Sequence, residues 1–262
     1  MLKILFVGDV VGKAGRRAAG RLLADLRSRF EAQFVIVNGE NVAGGLGITK
    51  QTATSLFDAG ADVLMLGNHA FAKRDALDYV AQEPRILRPA NFPPGVPGVG
   101  HGVFAADDGS PVAVVNLIGR TFMDPVDCPF RAADSVLAEL AGRAKTVMVE
   151  IHAEATSEKV AIGWYLDGRA SAVIGTHTHV QTSDERVLPG GTAYITDVGM
   201  TGVVDSVLGM DKDAVIQKFK FRVPSKFALA EGQAAVQSVL VEIDSGTGMA
   251  ASIQRVNVRE TD

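Results

Sequence analysis

The chain has 262 residues, is 47% apolar and 21% charged, and carries a formal charge of −4. That is ample for a full hydrophobic core and too apolar for a disordered chain, and no stretch approaches the ~20 uninterrupted apolar residues of a membrane span. The mild acidity argues against bulk binding to long nucleic acid, whose affinity rests on many phosphate contacts, but not against a small phosphorylated ligand.

From the N-terminus, Met1–Asp9 meets an acidic residue before any signal-peptide core could form. Cys128 stands alone, so no internal disulfide can form, as suits a reducing compartment. Together these predict a soluble, cytoplasmic protein. Short apolar runs rich in β-branched residues predict buried strands at Leu2–Val7, Phe34–Val37, Val63–Leu66, Val112–Leu117, Thr146–Ile151 and Ala172–Ile174. Between them, helical character is expected over Lys13–Phe30, Thr49–Ala59, Lys73–Gln82, Phe130–Gly142 and Thr156–Asp167. In the first of these, Ala14, Ala18, Leu22, Leu26 and Phe30 fall on one face, and its Lys13, Arg16, Arg17, Arg21, Arg27 and Arg29 read as a solvated basic face. Trp164 and Tyr165, in the last helical stretch, read as core or interface.

The final third differs. Arg186–Leu188 and Thr192–Thr196 flank Pro189-Gly190-Gly191, and Gln233–Ile243 and Ala250–Val258 flank Asp244–Gly248, so two hairpins are expected. Pro89–Gly100 reads as a long surface loop and His101 as a loop residue. With no repeat or linker in evidence, the expectation is one α/β domain over residues 1–262. Its architecture is two packed β-sheets flanked by helices, an αββα sandwich.

Polar residues gather where the strands end. Asp9 follows the first strand, Glu40 and Asn41 the second, and Asn68 and His69 the third. His152 follows the fifth, and His177 and His179 the sixth. The carboxyl ends of strands are where α/β sheets bind ligands. A single histidine there is usually a satisfied loop residue, but eight metal-competent groups at five strand ends point to a metal site. Mixed imidazole, amide and carboxylate donors suit Mn, Fe, Zn or Co better than Mg or Ca. Eight candidates exceed one tetrahedral ion, so a two-metal phosphoesterase-type site fits the count. Two carboxylates, Asp9 and Glu40, against two divalent ions leave a positive site suited to an anionic substrate.

The order Gly8-Asp9, Gly39-Glu40-Asn41, Gly67-Asn68-His69, His152 and Gly175-Thr176-His177-Thr178-His179 resembles the calcineurin-like metallophosphoesterase superfamily. That pattern is Asp-x-His, Gly-Asp, Gly-Asn-His-Asp/Glu, a lone His and Gly-His-x-His. Here Val11 replaces the first-motif histidine, Glu40 the usual bridging aspartate and Ala70 the acid after Asn-His. With Ala90-Asn91-Phe92-Pro93 and Asp205-Ser206-Val207-Leu208-Gly209, these departures resemble the bacterial YmdB-like 2′,3′-cyclic-nucleotide 2′-phosphodiesterases, from Lys3 to about Val258. The resemblance implies two transition-metal ions, Fe or Mn, bridged by Glu40. Asp9, Asn41 and His179 would hold one, Asn68, His152 and His177 the other. His69 would stay free as the catalytic group near the substrate. The implied reaction is attack of a metal-bound hydroxide on the phosphorus of a nucleoside 2′,3′-cyclic phosphate, giving the 3′-phosphate. A phosphomonoesterase and a metal-binding regulatory protein with little turnover are the alternatives. The expected partner is a small phosphate ester, a cyclic nucleotide or an RNA end, with no membrane or long nucleic acid; a homo-oligomer stays open.

Two glycine-rich signals remain. Gly8–Lys13 lacks the spacing and the hydroxyl residue of a phosphate-binding loop, and Gly44-Gly45-Leu46-Gly47 reads as a mobile turn rather than an anion nest.

Overall fold

A computed structural model describes residues 1–222 and 228–261. The chain runs β1 (Leu2–Val7), β2 (Asp9–Val10), α1 (Gly12–Phe30), β3 (Phe34–Asn38), α2 (Lys50–Asp58), β4 (Val63–Met65), α3 (Ala76–Gln82), β5 (Ile86–Leu87) and β6 (His101–Ala105). It continues through β7 (Pro111–Ile118), α4 (Pro129–Leu140), β8 (Thr146–His152), α5 (Thr156–Tyr165), β9 (Ala172–Thr176), β10 (Arg186–Val187), β11 (Ala193–Ile195) and β12 (Met200–Val203). It ends with α6 (Lys212–Phe221), β13 (Ala234–Ile243) and β14 (Ala250–Arg259).

Two sheets result. In the first, β1, β3, β4 and β5 are parallel neighbours, and β13 lies antiparallel to β1 with β14 and β12 along it. In the second, β7, β8, β9 and β11 are parallel, closed by antiparallel β6 and β10 at the edges. Each parallel run advances one strand at a time in one direction, through helical crossovers except from β9 to β11, where β10 intervenes. Because such crossovers share one hand, each set of helices falls on one face of its sheet and leaves the other face free. The free faces meet. Along β1 the period of two is visible. Leu2, Ile4 and Phe6 join Met148, Ile174 and Ile195 between the sheets, while Leu5 and Val7 turn outward to Ala18, Leu23 and Leu26 of α1. On the far side Val115, Val149 and Val173 pack under Val136 of α4 and Ile162 of α5. This is the expected αββα sandwich, with both hairpins in place. No helix of the described residues is long and apolar enough to cross a membrane.

The structure corrects several local expectations. His101 opens β6 opposite Val115 and faces Glu139 across 3.4 Å, instead of sitting in a loop. Trp164 and Tyr165 lie on the outer side of α5, 49% and 40% exposed. Each lies against an arginine, Arg186 and Arg169, and neither is core. The basic face of α1 is tied down rather than simply solvated. Arg16 donates to the Val42 carbonyl, Arg17 forks onto Glu260, and Arg27 reaches Asp62 and Asp107. The third helix starts at Ala76, three residues later than expected, and His152 is the last residue of its strand rather than the first beyond it. The Pro89–Gly100 segment is a loop, but Asn91 anchors it from a buried position. Its amide donates to Ile118 O and Asp127 O at 2.7 and 2.8 Å, and its oxygen accepts from Ile118 N at 2.9 Å.

Candidate metal centre

Parallel strands within a sheet end on one edge, and the contacts below bring the two sheets' carboxyl edges together. Glu40, just past β3, is fully buried at the centre. Its Oε1 lies 3.2 Å from His152 Nε2 on the β8 side and 3.1 Å from the Asn41 amide on the other, and its Oε2 accepts the His69 backbone N–H at 3.0 Å. Around His152 gather Asn68 Oδ1 and His177 Nδ1, both at 3.0 Å from Nε2. On the opposite side of Glu40, His179 Nε2 lies 3.2 Å from Asn41 Nδ2 and 3.8 Å from Asp9 Oδ1. The seven expected ligand residues therefore converge, in two groups that share Glu40. His69 presents its ring beside the first group, 3.2 Å from the Asn68 amide. Close approach is built into the backbone: a Cβ at Gly67 would collide with both the His152 ring and the Glu40 carboxylate.

The imidazoles are oriented from behind. Thr176 donates its hydroxyl proton to Glu150 Oε1 at 2.7 Å, so it accepts from His152 Nδ1–H at 2.9 Å. His179 Nδ1 faces the Leu208 carbonyl at 3.1 Å, and His177 Nε2 faces Glu154 at 3.1 Å. Each outer nitrogen meets an acceptor and holds a proton, so each inner nitrogen points into the cluster, as in metal-ligating histidines. Asp9 Oδ1 is buried there without a hydrogen-bond partner. Inward nitrogens, an orphaned carboxylate oxygen and a buried glutamate fit cations. Glu40, His152 and His177 each offer a donor atom within 4.8 Å of the others'.

The electrostatics give the same reading. Burial alone would lower His152, but the charge and hydrogen bond of Glu40, with Asp9 and Glu150, push it up to about 9. Burial opposes ionisation of Glu40, yet His152 and His69 hold its carboxyl down at about 2. Burial and then the neighbouring His152 charge press His177 to about 3. A proton on His152 thus occupies the place of a cation while its neighbour stays neutral. Glu150, raised to about 8 by burial, adds little charge at neutral pH.

The turn carrying both terminal histidines is strained. His177 and His179 sit at φ 92° and 64°, conformations that cost ~1–3 kcal/mol each for such residues. Buried Asp197 holds it by accepting from Thr178 N at 3.0 Å and Thr178 Oγ1 at 2.6 Å. Asp197 is itself balanced by buried Lys159 at 2.9 Å, which also donates to Thr176 O. Sequence reasoning missed Asp197, Lys159, Thr176, Glu150 and Glu154. For Glu150, Thr176 and Lys159 the signal was a polar residue inside an apolar strand or on a helix's inner face; Asp197 and Glu154 lie between elements and gave none.

The two-sheet sandwich is the fold of the calcineurin-like phosphoesterases. The crystal structure of calcineurin-like phosphoesterase YfkN from Bacillus subtilis superposes with a TM-score of 0.60 over 98% of this chain and 90% of that one, at 11% identity. Within that class the chain belongs to the YmdB-like protein family, which matches residues 5–256. It is 48% identical over 259 residues to the 2′,3′-cyclic-nucleotide 2′-phosphodiesterase of Bacillus subtilis, covering 99% of this chain and 98% of that one. A crystal structure of a novel phosphatase from Mycoplasma pneumoniae superposes with a TM-score of 0.93 at 32% identity, over all of this chain and 94% of that one. The protein is a phosphoester hydrolase.

Two outcomes are expected. Because His152 is raised from 6.5 to about 9 in the metal-free site, a metal must displace its proton at pH 7.5. Apparent metal affinity should then rise about tenfold per pH unit and level off near pH 9. Calorimetry in buffers of different ionisation enthalpy should register about one proton released per chain; no release would contradict the orientation of the ring. Asp197→Ala leaves Lys159 buried without its counter-charge, and should cost ~3–5 kcal/mol in denaturant unfolding together with metal affinity. An unchanged midpoint would show that the pair does not hold the turn.

Proposed function

We propose that the protein hydrolyses nucleoside 2′,3′-cyclic phosphates, breaking the 2′ ester bond to leave the 3′-phosphate, with two transition-metal ions, Mn or Fe, bridged by Glu40. The observation that carries this reading is the division of the ligands into two groups on either side of the buried Glu40 carboxylate. Asp9, Asn41 and His179 would hold one ion, Asn68, His152 and His177 the other. Bound there, such ions supply Lewis-acid charge for phosphoryl oxygens and lower the pKa of water.

The chain's own residues do the rest. Asp9 in one group and Glu40 between the two are the carboxylates at the centre, so two divalent ions would keep a surplus of positive charge. That surplus favours a phosphodiester anion and disfavours rapid escape of a dianionic product. Amide ligands Asn41 and Asn68 preserve it where carboxylates would cancel it. His69 is left with its ring unliganded beside Asn68, half-buried at the mouth of the cluster. From there it donates a proton to the departing 2′ oxygen or stabilises the charge on the phosphoryl group. Buried Ala70 follows it, so no adjacent carboxylate orients the ring. The choice of a cyclic nucleotide and of the 2′ bond draws support from the relative that is 48% identical along nearly the whole of both chains. The same reading takes residues 1–262 as one metallophosphoesterase domain acting in the cytoplasm.

Chromatography against 2′- and 3′-monophosphate standards tests the reaction. Accumulation of the 3′-phosphate is expected, with much slower loss of the remaining monoester. Accumulation of the 2′-phosphate would reverse the orientation of the substrate, and rapid release of free nucleoside would establish a phosphomonoesterase instead. His69→Ala should keep its metal content and lose ~10²–10⁴-fold in kcat. Loss of metal along with rate would make His69 a ligand.

A further inference from the structure

The strands next to the metal cluster carry a second set of polar groups at the same edge. β5 pairs with β4 and is followed by Arg88; β7 pairs with β8 and is followed, after Gly119, by Arg120. Arg88 and Arg120 thus stand one strand over from the ends that present Asn68 and His152. Together with Arg131 of α4 they line a cavity of about 840 Å³. Among the described residues, none of the three guanidinium groups has a carboxylate partner. Arg88 gives Nη1 to Pro89 O at 2.7 Å and Nη2 to Val96 O at 3.5 Å, and its buried Nε has no partner at all. The cavity's carboxylates are Asp127 and Glu139, and Glu139 is occupied with His101 at 3.4 Å. Three guanidiniums against two carboxylates leave one positive charge, the complement of a single phosphodiester. Arginine's fork of donors matches phosphate oxygens.

The loop from Gly119 to Asp127 joins this cavity to the metal cluster. At one end Gly119 N donates to His152 O at 2.9 Å; at the other, Asp127 is clamped by buried Asn91 through both of its backbone groups. Between these anchors Phe122 is 89% exposed and held at φ 61°. A bulky side chain rarely adopts that region, and residues kept there cluster at ligand-binding sites. An aromatic face displayed to solvent two residues from an unpaired arginine is the arrangement that stacks a nucleobase beside its phosphate.

We propose that this cavity and Phe122 form a subsite for the nucleotide that precedes the cyclic phosphate. The arginines hold the connecting phosphodiester, and the Phe122 ring stacks on the base. The inference rests on the cyclic phosphodiesterase reading of the metal centre and names its substrate class: an oligoribonucleotide 3′ end rather than a free mononucleotide.

The test compares kcat/KM for a nucleoside 2′,3′-cyclic phosphate and for a diribonucleotide ending in the same group, with wild type, Arg120→Ala and Phe122→Ala. The wild type should favour the diribonucleotide by about tenfold or more, through KM, and each exposed-residue variant should shrink that ratio severalfold towards one. Equal values for the two substrates in the wild type, or variants that lose both substrates alike, would overturn the subsite. If neither substrate is hydrolysed, the catalytic reading fails separately. Calorimetric binding of the 3′-phosphorylated diribonucleotide and mononucleotide to the metal-loaded protein then reads the same ratio. A binding ratio of one, with inorganic phosphate bound in an Arg88-dependent manner, would assign the cavity to a free anion and overturn the proposal.

Discussion

A glutamate carboxylate taken wholly out of water is costly unless positive charge meets it, and Glu40 sits at zero exposure where the two sheets converge. In the metal-free protein a proton on His152 meets that demand, with the ring held up to about 9 by Glu40 itself. Asp9 Oδ1 is left there without a hydrogen-bond partner, and the inner nitrogens of His177 and His179 face the same space. Cations answer all of these at once. The arrangement around the cluster follows from that requirement: acceptors behind each imidazole, glycine at position 67, and Asp197 bracing the strained 177–179 turn.

The fold serves the same end by simple means. Two parallel runs, each advancing in one direction with crossovers of one hand, keep their helices outside and their bare faces together. Their carboxyl edges then coincide, so β1, β3 and β4 of one sheet and β8 and β9 of the other deliver side chains to a common point. The neighbouring strands β5 and β7 extend that edge, which is why Arg88, Arg120 and the loop bearing Phe122 adjoin the cluster.

The long strands and the polar residues that converge on Glu40 were legible because β-branched runs such as Val147–Ile151 stop at polar groups. Few other reasons place Asn68-His69 or His177-x-His179 at such ends. What escaped had no periodic signal. β2, β5 and β12 span two to four residues, and α6 buries Val215 alone, so neither a period of two nor one of 3.6 could emerge. His101 was misassigned because flanking glycines imitate a loop, while the pairing partner that makes it a strand, Val115, lies beyond an intervening turn. The supporting shell escaped for another reason. Lys159 and Asp197, or Thr176 and Glu150, become meaningful as pairs, and one sequence does not say which distant polar residues meet. Trp164 and Tyr165 show the converse for the core half of their reading: aromatic character suggested burial, but they lie at the surface against Arg186 and Arg169.

The central claim is that Glu40 stands between two ions. Anomalous diffraction from crystals loaded with manganese tests it most directly. Two peaks are expected, one in contact with Asn68, His152 and His177, the other with Asp9, Asn41 and His179, and both in contact with the Glu40 carboxylate. A single peak under saturating metal, or a second peak that does not touch Glu40, would contradict the account.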